Sequence, residues 1–156
     1  MSKAVLISIR PKWCEKIADG EKTIEVRRTR PKLETPFKVY IYCTAGYLQY
    51  VTQNGMLCHM SGCREVIGEF ICDKIYELAP LNHAPDDVEQ MACLTREEIV
   101  QYLRGIGYGW HISNLRIYDH PRKLWEFTVL RKTKYGLAPV PITRPPQSWQ
   151  YVEELK

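Results

Sequence analysis

The chain has 156 residues, 45% hydrophobic and 26% charged, enough apolar mass for one domain over residues 1–156 that buries a core without disulfide staples. Lys and Arg number 22 against 18 Asp and Glu, and the formal charge of +4 suits a phosphate-bearing partner without demanding one. The opening MSKAVLISIRPK holds too short an apolar run for a secretory signal, and no stretch of about 18 apolar residues offers a membrane-spanning helix. The expectation is therefore a cytoplasmic protein with no membrane partner, its six cysteines free thiols.

In chain order, residues 4–9 (AVLISI) read as a first strand. PKWCEKIADG follows as a short helix: Pro11 suits the first helical position, Trp13 and Ile17 sit one turn apart, and Gly20 stops it. Arg10 and Lys12 flank its start, where a helix N-terminus already attracts anions. A solvated loop explains them as well.

The stretch 20–30, GEKTIEVRRTR, reads at once as a strand and as a concentration of charge. Ile24 and Val26 alternate with Thr23, Glu25 and Arg27, so one face packs and the other is free to bind. Lys22 falls at the helix-to-strand corner, where its ammonium can lie beside the Glu25 carboxylate and the Arg27 guanidinium. The alternative is a solvated edge strand whose charges oppose aggregation, or a simple salt-bridge cluster.

Pro31 and Pro36 bracket a turn, after which PFKVYIYCTA alternates through Val39, Ile41 and Cys43 as a central strand. Tyr40 and Tyr42 lie on its opposite face, either as packing residues or as platforms on which bases stack. Gln53-Asn54-Gly55 marks a hairpin turn within 45–65, read as an extension outside the core. Cys58, His59 and Cys63 are close enough for half a zinc site, with Cys72 or Cys43 to complete it, but they lack the paired CxxC spacing, and no metal is expected. Residues 65–78 form a long strand with a bulge near Gly68, leaving Glu69 to face either a cleft or the surface.

A proline-punctuated loop spans 80–87, and Glu89 beyond it is a candidate site carboxylate. LTREEIVQYLRGI is the clearest helix, with Thr95 as cap, Glu98 completing a capping box, and Ile99, Leu103 and Ile106 on one face. The glycines at 105, 107 and 109 follow a helix instead of leaving a strand into one, which excludes a dinucleotide loop. Tyr108, Trp110 and His111 precede a strand at 112–118 that Asp119-His120-Pro121 ends in a turn; His111 has the chemistry for base recognition or proton transfer, or is structural. Residues 124–130 are the last expected strand. Pro139, Pro141, Pro145 and Pro146 argue against regular structure in the tail, and QSWQYVEELK reads as a terminal helical turn.

SIRPKWCEKIADGEKTIEVRR resembles the opening of the ASCH domains, whose fold is similar to the PUA domains of RNA-modifying enzymes. The GxKTxExR core stands here as Gly20, Lys22, Thr23, Glu25 and Arg27, and VIGEFICDKIYEL, WHISNLRIYDHPRKLWEF and ITRPPQSWQYVEE extend the likeness over nearly the whole chain. The resemblance implies an α+β fold, a small PUA-like β-barrel with two principal flanking helices and a cleft between them whose mouth holds Arg10 and Lys12. It implies binding of RNA, a nucleotide or a modified nucleoside by Arg10, Lys12, Lys22, Glu25, Arg27 and His111, without a cofactor. Some ASCH-like proteins are acetylcytidine amidohydrolases that use a lysine, a threonine and a glutamate, and others cleave RNA. Lys22 matches the lysine and Glu89 loosely the glutamate, but Glu25 stands where the threonine would be and Thr23 is offset by two positions. The catalytic candidates are thus Lys22, Glu25 and Glu89.

Overall fold

The computed structural model describes residues 2–52, 54–78 and 84–156, so Gln53 of the expected turn and the first part of the proline loop lie outside the described residues. The N-terminal apolar run forms β1 (Lys3–Ile9), buried at every position after Lys3, as a strand covered on both faces must be. Pro11 opens α1 (Pro11–Ala18). Gly20, at φ 85°, turns the chain into β2 (Ile24–Arg27). There follow β3 (Phe37–Cys43), the hairpin β4 (Leu48–Val51) and β5 (Leu57–Met60), and the long β6 (Glu65–Glu77). Two helices, α2 (Val88–Ala92) and α3 (Arg96–Leu103), precede β7 (Tyr108–Arg122). The chain closes with the hairpin β8 (Thr128–Thr133) and β9 (Gly136–Pro141), then β10 (Trp149–Glu153).

Six strands form one sheet in the order β10-β1-β3-β6-β7-β2, in which only the β1–β3 pair is parallel. Its two end strands, β2 and β10, are joined through side chains. Arg27 Nη2 donates to the Ser8 carbonyl at 2.7 Å, and its Nη1 donates to Ser148 Oγ at 3.0 Å. Trp149 Nε1 donates to Thr29 Oγ1 at 2.9 Å, and the Lys32 N–H donates to Tyr151 Oη at 2.7 Å. The sheet is thereby curled into a half-barrel. One of its faces carries Val5, Ile7, Val39, Ile41, Phe70 and Trp110, joined by Cys14 and Ile17 of α1. The other carries Leu6, Tyr40, Tyr42 and Tyr118, joined by Phe127 from the segment before β8. A third cluster joins Ile24 and Val26 of β2 to Val88, Ala92, Ile99 and Leu103 of α2 and α3.

The bulge at Gly68 is present: pairing with β7 slips between Val66 and Gly68, and a Cβ on Gly68 would stand 2.5 Å from the Arg116 carbonyl oxygen. The capping box of α3 is present too, with reciprocal Thr95 and Glu98 hydrogen bonds of 3.1 Å. Tyr40 and Tyr42 are buried, and the Tyr40 hydroxyl accepts the Leu155 N–H at 2.8 Å, so of their two expected roles they take that of packing residues. Other expectations are corrected. The β4–β5 hairpin contributes Leu48 and Tyr50 to the main core. Ile106 lies past the end of α3, which Arg104 stops in the left-handed region, and is 70% exposed. β7 runs through Asp119-His120-Pro121, because β2 pairs only with Tyr108 to His111 and leaves the flank at Pro121 without a ladder to break. The tail holds strands, not a helical turn: Pro139 and Pro141 sit in a two-stranded ribbon with a free edge, and β10 pairs antiparallel with β1.

Because Arg27 joins the sheet ends and also faces Glu25 at 3.6 Å, Arg27→Ala removes donors from buried acceptors and leaves a carboxylate less compensated. Urea unfolding of this variant is expected to show a loss of about 3 kcal/mol; a loss near zero would mean that the sheet ends are held by other contacts.

Candidate functional site: a charged cleft beside β2

The alternation along β2 sends Ile24 and Val26 toward α2 and α3 and leaves Glu25 and Arg27 on the side of a cleft of about 630 Å³. Ser8, Ile9 and Arg10 at the end of β1, Trp13 of α1, Glu98 and Tyr102 of α3, and Lys22, Val26, Thr44, Leu94 and Gln147 complete its lining. The backbone fixes the corner that holds Lys22, whose N–H donates to the Lys16 carbonyl at 3.0 Å while that of Thr23 donates to Met91 at 2.8 Å.

Lys22 is only 2% exposed. Its Nζ donates to the Ala92 carbonyl at 2.5 Å, stands 3.9 Å from Glu25 Oε1 and lies 5.1 Å from the centre of the Trp13 ring. Burial pushes the Lys22 pKa below its ordinary 10.5, and the Glu25 charge opposes that shift. Glu25 is 6% exposed; its Oε1 accepts the Val26 N–H at 3.2 Å, while Oε2 has no hydrogen-bond donor among the described residues. The nearest cation to Oε2 is Arg27 Nη2 at 3.6 Å, beyond good hydrogen-bond range, since that nitrogen is committed to Ser8. The floor of the cleft therefore holds a buried carboxylate between two cations, with acceptor capacity to spare.

Of the residues singled out in the sequence, Arg10, Lys22, Glu25 and Arg27 come together here. Lys12 reaches the cleft only through Trp13, its Nζ lying 4.7 Å from the ring centre. Glu89 does not line the cleft; it is half-exposed and pairs with Arg96 at 3.0 Å. His111 is absent from the lining as well, its Nδ1 lying 2.6 Å from Asp73 Oδ1 and its ring edge-on to Tyr76. Glu69 is turned away into a pair with Lys38 at 2.6 Å and accepts from the Tyr118 hydroxyl.

Trp13, Glu98 and Tyr102 were read only as parts of helices. The signal for the last two is their i,i+4 spacing on a face of α3 adjacent to that of Ile99 and Leu103. Among the described residues no group of three or more His, Cys, Asp or Glu could hold a metal ion. Cys58 and His59 are neighbours on β5 and so point to opposite sides, His59 Nδ1 meets Tyr47 Oη at 2.6 Å, and the Cys63 thiol is buried against Cys43.

No family model matches the chain, and no curated protein matches it. Solved structures do. The ASCH protein of Zymomonas mobilis is 19% identical, superposing with a TM-score of 0.57 over 97% of this chain and 88% of its own. A tyrosine-to-phenylalanine variant of that protein is 18% identical, with a TM-score of 0.59 over 98% of this chain and 92% of its own. The chain has the ASCH fold, a PUA-like curled sheet with flanking helices; identities this low carry the fold alone.

The depressed pKa of Lys22 gives the stability a defined pH dependence. Below its folded pKa both states are protonated and the burial penalty is complete; between that pKa and 10.5 the unfolded chain holds the proton that the folded chain has released, so stability rises with pH. The unfolding free energy of the wild type minus that of Lys22→Met should therefore increase as pH rises toward 10.5. A flat or falling difference would show that burial does not dominate at Lys22.

Proposed function

We propose that the chain is a binding module for RNA or a nucleotide-like ligand, which takes one base into the cleft beside β2. The observation that carries this reading is Glu25: a buried carboxylate on the cleft wall whose Oε2 lacks a donor. Nucleobases present the amino and ring N–H groups that such an acceptor can use. Trp13 and Tyr102 bring aromatic rings to the lining of the same cleft, and base stacking on an aromatic ring contributes about 1–3 kcal/mol. Arg10 and Lys12, at the start of α1, are placed for phosphate. Lys22 and Arg27, already committed to backbone carbonyls, serve to hold the carboxylate in place.

One observation favours a second reading, hydrolysis of a modified nucleoside such as acetylcytidine, or of RNA. The depressed pKa of Lys22 brings its neutral amine closer to use as a general base. Against it, the Ala92 carbonyl and Glu25 both favour the ammonium, and Glu25 occupies the position of the nucleophilic threonine. Thr23 is not in the cleft lining, where the aliphatic hydroxyls are those of Thr44 and of Ser8, the latter donating to the Pro146 carbonyl at 2.6 Å.

Calorimetric titration with cytidine monophosphate separates the readings. Binding by the wild type is expected, abolished in Lys22→Ala and weakened roughly tenfold or more in Glu25→Gln, since a hydrogen bond to a charged group contributes about 1.5–3 kcal/mol. The wild type should release no acetate from acetylcytidine. Turnover that disappears in both variants, with nucleoside binding retained in Glu25→Gln, would make the protein an enzyme.

A further inference from the structure

Charge is distributed unevenly along this chain. Between Glu126 and Glu153 stand Arg131, Lys132, Lys134 and Arg144 and not one Asp or Glu, so this stretch carries the whole formal excess of +4 and the remainder balances 18 cations against 18 anions. Three of the four lie at the tip of the β8–β9 hairpin, which forms a separate two-stranded sheet. Lys134 and Tyr135 make the two-residue connection between the paired Thr133 and Gly136, fixed by the Thr133 hydroxyl, which accepts the Tyr135 N–H at 3.2 Å and donates to the Gly136 carbonyl at 2.8 Å. Tyr135 is 88% exposed with the Lys134 ammonium 5.2 Å from its ring centre.

These cations are unspent. Among the described residues none of the four has an ion pair, and all four are exposed. Along the chain the hairpin leads toward the cleft: Ile142, just past its end, donates its N–H to the Phe127 carbonyl at 2.9 Å, Arg144 follows, and Gln147 lines the cleft. Exposed, unpaired cations beside an exposed aromatic ring fit a phosphodiester chain with unstacked bases.

We propose that the β8–β9 hairpin is an arm that grips the backbone of a single-stranded RNA through Arg131, Lys132 and Lys134 and stacks a base on Tyr135. It extends the reading of the cleft as a nucleotide site from one nucleotide to a strand. The cleft selects a base, and the arm supplies affinity that does not depend on sequence.

The test compares the wild type with the triple variant Arg131→Gln, Lys132→Gln, Lys134→Gln, titrated with an oligocytidylate over a series of salt concentrations and with cytidine monophosphate. Each phosphate contact on a single strand contributes about 0.7 to the slope of log affinity against log salt, so the triple variant should lose about 2 from that slope and bind the oligonucleotide roughly tenfold to a hundredfold more weakly at physiological salt. Its affinity for the monophosphate should be unchanged. Tyr135→Ala should weaken oligonucleotide binding roughly fivefold or more without altering the slope. Unchanged slope and affinity in the triple variant, with the monophosphate still bound by the wild type, would sink the arm and leave the cleft reading standing. A slope that depends on the hairpin in a protein that ignores the monophosphate would do the reverse. Binding by the wild type to phosphatidylserine vesicles and not to the oligonucleotide would overturn the arm in favour of a lipid surface.

Discussion

The guanidinium of Arg27 is the contact on which the architecture turns. A curled sheet that does not close by backbone pairing must join its ends in another way, and here the ends are β2 on one side and β1 with β10 on the other. Arg27 sits on the first and donates to Ser8 and Ser148 on the second. A planar fork with several donors can satisfy two such partners at once, which a lysine ammonium on a flexible stem does less well. The other edge of β2 is covered by helices: Thr23 donates to Met91, Lys22 to Ala92, and Arg28 to the Tyr102 carbonyl at 2.8 Å. β2 has only four residues, yet it is fastened on every side.

That fastening explains how three charges can be buried within one short stretch. An isolated buried charge is prohibitively costly, so each must be paired and hydrogen-bonded. Lys22 has a carbonyl and Arg27 has a carbonyl and a hydroxyl. Glu25 is the exception, flanked by cations at 3.9 Å and 3.6 Å but with one oxygen lacking a donor. The pair of cations fixes the carboxylate without exhausting it. On the proposed reading, that is the state of an acceptor kept in readiness for a ligand.

Much of this was legible locally. The corner at Gly20 and Lys22, the two-residue alternation of β2, the helix begun by Pro11, the bulge at Gly68 and the capping box at Thr95 are all short-range patterns, and the chain obeys them. What escaped depends on contacts distant in sequence. Ser148 lies 121 residues from Arg27, and nothing near either residue announces the bond. Prolines argued against strands in the tail, but in β9 they fall on a ribbon with a free edge, where a missing N–H costs little. Period-two alternation identified β3 but could not show that both its faces are covered, which decides the fate of Tyr40 and Tyr42. Glu89 and Glu98 were distinguishable only through the orientation of α2 and α3: one meets Arg96 outside, and the other meets the cleft.

The central claim is that the strand that closes the half-barrel also presents its one under-satisfied carboxylate to a ligand. A crystal structure of the protein soaked with cytidine monophosphate tests it most directly. The account predicts the base between Trp13 and Tyr102, with an N–H group of the ligand about 2.7–3.2 Å from Glu25 Oε2 and the Arg27 bonds to Ser8 and Ser148 intact. A nucleotide ordered elsewhere on the protein, with the cleft unoccupied and Glu25 untouched, would contradict it.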